Sequence, residues 1–273
     1  MKPTVAIIGV GLIGGSLGQA LRKSKRYRVL GIARRPSTLH EAKRLGAIDA
    51  GSTNLTDVYQ ADLIVLATPV DSIVPIIQQI KPFLKPRAIV TDAGSVKGIL
   101  DQQVRGVRFV GAHPLAGSHK TGVKAARADL FRGATCVLVP QDFSAVALVR
   151  RMWETAGARA VVMSAQAHDA AVALTSHLPH LLAHALVQAV MKRSDQKTLK
   201  ALMAGSFRDV TRVASADPEQ WVQIFQANLK NLKLASRLFE HELRRLNAQL
   251  NSPSLRAALR KSQTYRASLF HGI

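Results

Sequence analysis

Thr4-Val-Ala-Ile-Ile-Gly9-Val-Gly11-Leu12-Ile13-Gly14 sets an apolar run of strand length directly before glycines spaced G-x-G-x-x-G. Beyond them Leu12, Leu17, Ala20 and Leu21 recur at helical spacing, so the glycines stand at a strand-to-helix turn. In that setting Gly9 permits the tight turn, Gly11 lets backbone approach a pyrophosphate, and Gly14 lets the helix pack closely. The helix amino end then favours phosphate charge. A purely structural glycine turn has the same letters, so the rest of the chain has to decide.

Further short apolar runs follow at Arg28–Ala33, Asp62–Ala67, Ala88–Thr91, Val107–Val110 and Cys136–Val139. Helical patterns separate the early ones, over Ser37–Leu45 and around Ile73, Val74, Ile76 and Ile77. Continuous apolar strands alternating with helices indicate a parallel sheet covered on both faces. From Ser164 the chain becomes Ala- and Leu-rich at helical spacing and strand-like runs stop. Leu181, Leu182, Ala185, Leu186 and Ala189 line one predicted face. Val222, Phe225, Leu229, Leu232, Ala235, Leu238 and Phe239 line a later, longer helix. The expected fold is an α/β Rossmann domain over 1–165 followed by an all-helical domain over 166–273. There is no internal repeat or low-complexity linker.

A chain of 273 residues, 47% hydrophobic, permits two cores. The lone cysteine, Cys136, sits in an apolar run and reads as a small buried thiol in a reducing compartment. The amino end runs into the glycines without a signal-peptide cleavage pattern, and no stretch reaches eighteen uninterrupted apolar residues. The most apolar region, Asp169–Val190, carries Ser176, His177, Pro179, His180, His184 and Gln188, and reads as a buried helix pair. A cytoplasmic protein without a membrane is expected. The net charge of +21 attracts anions. It is spread over both halves with no basic tail or interleaved aromatics, which argues against nucleic acid as principal partner.

The end of the second strand bears on the dinucleotide. Gly31-Ile-Ala33-Arg34-Arg35-Pro36 lacks the carboxylate that would bind an NAD ribose, and its arginines suit a 2′-phosphate. NADP is the expected cofactor; the other reading of Arg34 and Arg35 is a solvated helix start. Gly9, Gly11, Leu12, Ile13, Gly14, Arg34, Arg35 and Thr68 form the expected cofactor site. Asp71, just after Pro69, fits a turn or helix cap and is given no chemistry.

Two polar loops end later strands. Asp92-Ala-Gly-Ser95-Val-Lys97 and Gly111-Ala-His113-Pro-Leu115-Ala-Gly117 lie where an open α/β sheet binds ligands. His113 suits a proton acceptor for a hydroxyl becoming a carbonyl, with Ser95 bonding the histidine or substrate. A loop histidine that caps backbone and an ordinary Gly-Ser turn are the plain alternatives. His177, His180 and His184 are spaced to share a helix face. They lack the carboxylate or cysteine that would complete a recognised metal set, so no metal is expected. Arg208 and Arg212, four apart, suit an anion clamp or an exposed face equally.

Taken together, Gly9–Gly14, Asp92–Lys97, His113–Gly117, His168-Asp169, Ser176–His180 and Phe207-Arg-Asp-Val-Thr-Arg212, in this order over almost the whole chain, resemble the prephenate/arogenate dehydrogenase family of tyrosine biosynthesis. The resemblance implies a Rossmann domain plus a helical dimerisation domain, a homodimer, and an active site between the domains. By it, His113 is the catalytic acceptor or base, Ser95 its partner, and Arg212 the carboxylate anchor. His180 shapes the substrate's side-chain end, with Arg208 near that choice, while His168 and His177 are more structural. Trp221 matches a position that approaches the pocket from the partner subunit. Leu115 replaces a frequent methionine, a mild apolar exchange. Ala33-Arg34 resembles the NADP-preferring branch and its arogenate-using members. The implied reaction is oxidative decarboxylation of arogenate to tyrosine, prephenate to 4-hydroxyphenylpyruvate, or both. The rivals are another Rossmann hydroxy-acid dehydrogenase, which leaves the later motifs unexplained, and a non-catalytic NADP-responsive protein.

Overall fold

The computed structural model describes residues 2–118 and 120–270. These form two compact units that divide between Asn228 and Leu229.

The first unit opens with β1 (Thr4–Ile8), α1 (Leu12–Lys23), β2 (Arg28–Ile32), α2 (Pro36–Arg44), β3 (Ala50–Ser52), β4 (Leu63–Leu66) and α3 (Val70–Ile80). It continues with β5 (Ile89–Asp92), α4 (Gly98–Gln103), β6 (Arg108–Pro114), β7 (Thr135–Pro140), α5 (Val146–Thr155) and β8 (Arg159–Val162). The strands make one sheet in the order β3-β2-β1-β4-β5-β6-β7-β8. β1 is buried throughout and alternates its side chains between two apolar layers. Val5 and Ile7 meet Leu17, Leu21, Phe131 and Trp153 on one face; Ala6 and Ile8 meet Ile64, Ile73, Ile77 and Val90 on the other. Two buried faces explain why these strands read as unbroken apolar runs.

Two strands depart from the expected parallel sheet: β7 runs antiparallel to β6, with Val137 opposite His113, and β8 runs parallel to β7. Parallel neighbours need a crossover, usually a helix, whereas among the described residues the segment joining β6 to β7 holds only the short 3-10 turn Val123–Ala125. The three-residue β3 and the edge strand β8 were not read from the sequence: Ala50-Gly-Ser52 is no apolar run, while Ala160-Val-Val162 is a short one directly before the helical half. Cys136 is fully buried on β7, and burial pushes its thiol far above the ordinary range, so it is an inert core group.

After Val162 every regular element among the described residues is helical. α6 (Ala165–Val172), a π-helical turn (Ala173–His177) and α7 (Leu178–Met191) form one continuous run where a helix pair was expected. This run is long and apolar enough to cross a membrane by length and composition alone, yet it carries the buried His168, Asp169 and His177. α8 (Gln196–Leu202), α9 (Gly205–Thr211) and α10 (Pro218–Ala227) complete the unit, and Ile224 and Trp221 join the second apolar layer.

The second unit consists of α11 (Leu229–Asn247) and α12 (Ser254–Phe270). The long helix expected through Val222–Phe239 is broken at Asn228, whose backbone leaves the helical region at φ −117°, ψ 28°.

Candidate active site

The glycine turn is shaped as its letters require. Gly9 takes φ +94°, and a Cβ there would lie 2.5 Å from the Ala67 carbonyl oxygen; at Gly14 it would lie 2.1 Å from that of Gly9. Gly11, by contrast, faces open space and begins α1 with no side-chain cap, so the first amides of the helix are left for a ligand. Beside the turn, after β4, the Thr68 hydroxyl is buried without a hydrogen-bond partner among the described residues. This lies at the switch between β1 and β4, where the strand order reverses. An open helix end, a glycine cradle and an orphaned hydroxyl together fit a dinucleotide.

Arg34 and Arg35 do not add to it. Both are exposed, and neither side chain makes a hydrogen bond or ion pair among the described residues; Arg35 precedes α2 as its cap position without a side-chain capping bond. They form a solvated helix start.

Two strands away the ends of β5 and β6 carry a buried polar network. Asp92 closes β5: Oδ1 accepts from the Ala112 amide at 2.9 Å, and Oδ2 from the Gly94 amide at 2.8 Å and the Lys97 ammonium. Asp92 and Lys97 are 0% and 1% exposed, so the charges neutralise one another inside the protein. The pair ties the 93–97 loop to β6 and thereby sets where His113 projects.

His113 is half-buried, and its Nδ1 lies 2.9 Å from Nε2 of His168. His168 Nδ1 lies 2.7 Å from Asp169 Oδ1, which also accepts from the Lys97 amide at 2.9 Å; Asp169 Oδ2 accepts from the Gly98 amide at 2.7 Å. Burial opposes the Asp169 charge, but His168 and the two amides prevail and hold its carboxyl below the ordinary value. Burial, the Lys97 cation and the neighbouring imidazoles hold His113 well below the usual histidine range, leaving it neutral at pH 7. No hydrogen bond joins it to Ser95 among the described residues. Ser95 stays half-buried in its loop, and the partner of His113 is a residue read from sequence as structural.

The helical segment supplies the remaining groups. The π turn directs His177 inward, where burial lowers its pKa to about 4 and its Nδ1 lies 3.2 Å from Asn228 Nδ2. The same Asn228 amide donates to the Asp169 carbonyl at 2.8 Å. His180 turns to another neighbour: its Nδ1 donates to the Ser176 carbonyl at 3.0 Å, and its ring stacks on Trp221 of the same chain. Arg212 begins a 3-10 turn (Arg212–Ser215) packed against α7, and its charge helps burial depress His180. Arg208 lies back on α9, 82% exposed and only loosely paired with Asp209.

Comparison with known proteins gives the family of the chain. Residues 17–162 match the family described as the prephenate dehydrogenase nucleotide-binding domain, and residues 164–261 match the prephenate dehydrogenase dimerization domain. The chain belongs to the prephenate dehydrogenase family. Among its relatives, prephenate dehydrogenase of Lactococcus lactis subsp. cremoris is 35% identical over 82% of this chain. The chain spans 64% of that relative's length. A solved A. aeolicus prephenate dehydrogenase in complex with hydroxyphenyl propionate and NAD+ is 32% identical, with a TM-score of 0.89 over 98% of this chain and 99% of the other. Synechocystis arogenate dehydrogenase gives 31% identity and a TM-score of 0.85 over 97% and 99%.

The A. aeolicus complex overturns the expectation of NADP, since that prephenate dehydrogenase holds NAD+. Arg34 and Arg35 fit the other reading of these letters, an exposed helix start whose side chains have no partner among the described residues.

Proposed function

We propose that this chain is an NAD+-dependent dehydrogenase that oxidatively decarboxylates prephenate, arogenate or both, as a cytosolic homodimer with domains 1–165 and 166–273. The observation that carries the reading is His113, a neutral imidazole at the sheet edge where the glycine turn also opens, backed by charged groups that fix its position. The family assignment, the relatives' reaction and the dimerization-domain match support it.

When bound, NAD+ supplies the hydride acceptor. Its pyrophosphate would rest on the Gly9–Gly14 turn and the open amides of α1, with the Thr68 hydroxyl alongside. His113 takes the proton of the substrate hydroxyl as that carbon becomes a carbonyl. Arg212 holds the ring carboxylate through charge without exchanging a proton. The forming ketone draws electrons from the ring, carbon dioxide leaves, and aromatisation makes the loss favourable. Ser95, in the loop fixed by Asp92 and Lys97, binds the substrate oxygen. His180 and Trp221 wall the side-chain end, where prephenate carries a carbonyl and arogenate an ammonium. Alignment is therefore most of what the protein contributes.

NADH formation measured with prephenate and arogenate in parallel tests this. Turnover of either identifies the reaction and ranks the substrates. Absence of turnover with both, in folded protein that binds NAD+, overturns it.

A further inference from the structure

Asp169 accepts from two backbone amides, and these together with His168 hold its carboxyl below the ordinary value, so at neutral pH it is an ionised group that only accepts. The His168 nitrogen facing it, Nδ1, must therefore carry a proton. A neutral His168 then presents a bare Nε2, and the atom 2.9 Å from it, His113 Nδ1, has to be the donor. The last nitrogen in the line, His113 Nε2, is left unprotonated and has no protein partner among the described residues.

We infer that His168 is a positioning residue: held by Asp169, it locks His113 in the Nδ1–H tautomer and so presents Nε2 as the basic nitrogen. The inference rests on the proposed role of His113, and it gives a chemical task to a residue that the family resemblance marked as more structural.

The surroundings favour this order of protons. Imidazole side chains in water prefer the Nε2–H form, so the opposite tautomer needs a partner that will accept only at Nδ1. His168 is 1% exposed and Asp169 4%, so water does not compete for either bond. The Lys97 cation nearby makes a second positive charge on this chain of rings unfavourable. The line is also anchored at its far end: the Asp169 carbonyl takes the Asn228 amide, and Gly98 lets the carboxylate approach so closely that a Cβ would lie 2.7 Å from Oδ2.

The test uses full-length protein with 15N-labelled histidine and long-range proton–nitrogen correlation spectra, the His113 signals being assigned by their loss in His113→Asn. We expect His113 as Nδ1–H in the wild type. His168→Leu, which keeps the volume and removes the acceptor, should move it to Nε2–H and lower kcat about a hundredfold. KM should stay within about threefold, as expected when orientation of the base is lost and binding is not. His168→Gln, whose amide oxygen can accept where Nε2 stood, should restore both the tautomer and most of kcat.

An Nε2–H His113 in the wild type, or a His168 protonated on both nitrogens, overturns the inference, and so does a tautomer unchanged in His168→Leu. The wild-type spectrum decides even if that variant fails to fold. Because it needs no substrate, an Nδ1–H His113 in a protein that turns over neither prephenate nor arogenate would sink the proposed reaction while leaving the tautomer lock standing.

Discussion

The indole of Trp221 lies against the imidazole of His180, with ring centroids 3.4 Å apart and planes 21° from parallel. The His180 ring donates from Nδ1 to the Ser176 carbonyl, so in its neutral form Nε2 is an acceptor on a wall that cannot swing. Aromatic pairs of this kind contribute about 1 kcal/mol beyond burial. Trp221→Ala should therefore raise KM for the ring substrate about fivefold and change kcat by less than about twofold, while Trp221→Phe stays near wild type. Steady-state kinetics on both variants check this. A loss confined to kcat would place Trp221 with the reacting atoms rather than on the wall.

Arg212 and Arg208 separate two uses of arginine that the sequence spacing could not. Both are exposed, but Arg212 is close enough to His180 to depress its pKa, whereas Arg208, 82% exposed on α9, is paired only loosely with Asp209. A charge-assisted carboxylate contact is worth about 1.5–3 kcal/mol. Arg212→Gln should raise KM for prephenate or arogenate by ten- to a hundredfold with NAD+ affinity unchanged, and Arg208→Gln should do almost nothing. Equal effects in the two variants would reassign the anchor.

Thr68 makes a prediction of two opposite signs. Its hydroxyl is buried with no partner, a state that costs about 1–3 kcal/mol and is relieved if a ligand supplies the bond. Thr68→Val should raise Tm without cofactor and shrink the further rise that saturating NAD+ produces. Thermal unfolding of both proteins, with and without NAD+, reads each sign separately. A variant that loses Tm in the absence of cofactor would show that the hydroxyl already supports the fold.

Much of the fold was legible because parallel strands buried on two faces announce themselves: β1 and β4 are unbroken apolar runs, β2 and β5 are apolar over most of their length, and the glycines mark the turn after the first. The antiparallel β7 was not, because direction is set by the connection and not by the strand's own letters. In the site, His113 was readable from its place after β6. Its neighbour was not, since His168 lies 55 residues away on an Ala-rich helix and its ring meets His113 only through tertiary packing. The Asp92–Lys97 pair was hidden for a different reason. Charged letters in a loop suggest solvent, and nothing local says that this lysine is 1% exposed. Asn228 offered one unread signal, a polar residue interrupting an apolar helical stripe, and the break it makes in the helix frees its amide for Asp169 and His177. The cofactor was misread because dipeptide identity carries no information on whether a guanidinium is held toward a ligand.

Buried histidines make stability depend on pH, and His177 does so most measurably. Its folded pKa is about 4, lowered by burial and the imidazoles of His168 and His180 against the pull of Asp169, while an unfolded histidine titrates near 6.5. Between those values the unfolded chain binds a proton that the folded protein refuses, so stability falls as pH drops through this window and has lost the full amount below it. His113 and His180 are shifted in the same direction and steepen the fall. His177→Gln removes one titrating ring while retaining a side chain able to meet Asn228. The variant should be less stable than wild type at pH 7, and the gap should close by about 2 kcal/mol by pH 4.5, because only the wild type pays for the missing proton. Urea unfolding of both proteins at several pH values across the window measures it. A gap that stays constant would mean that His177 already carries its proton inside the fold, bonded to groups other than an amide nitrogen that can only donate.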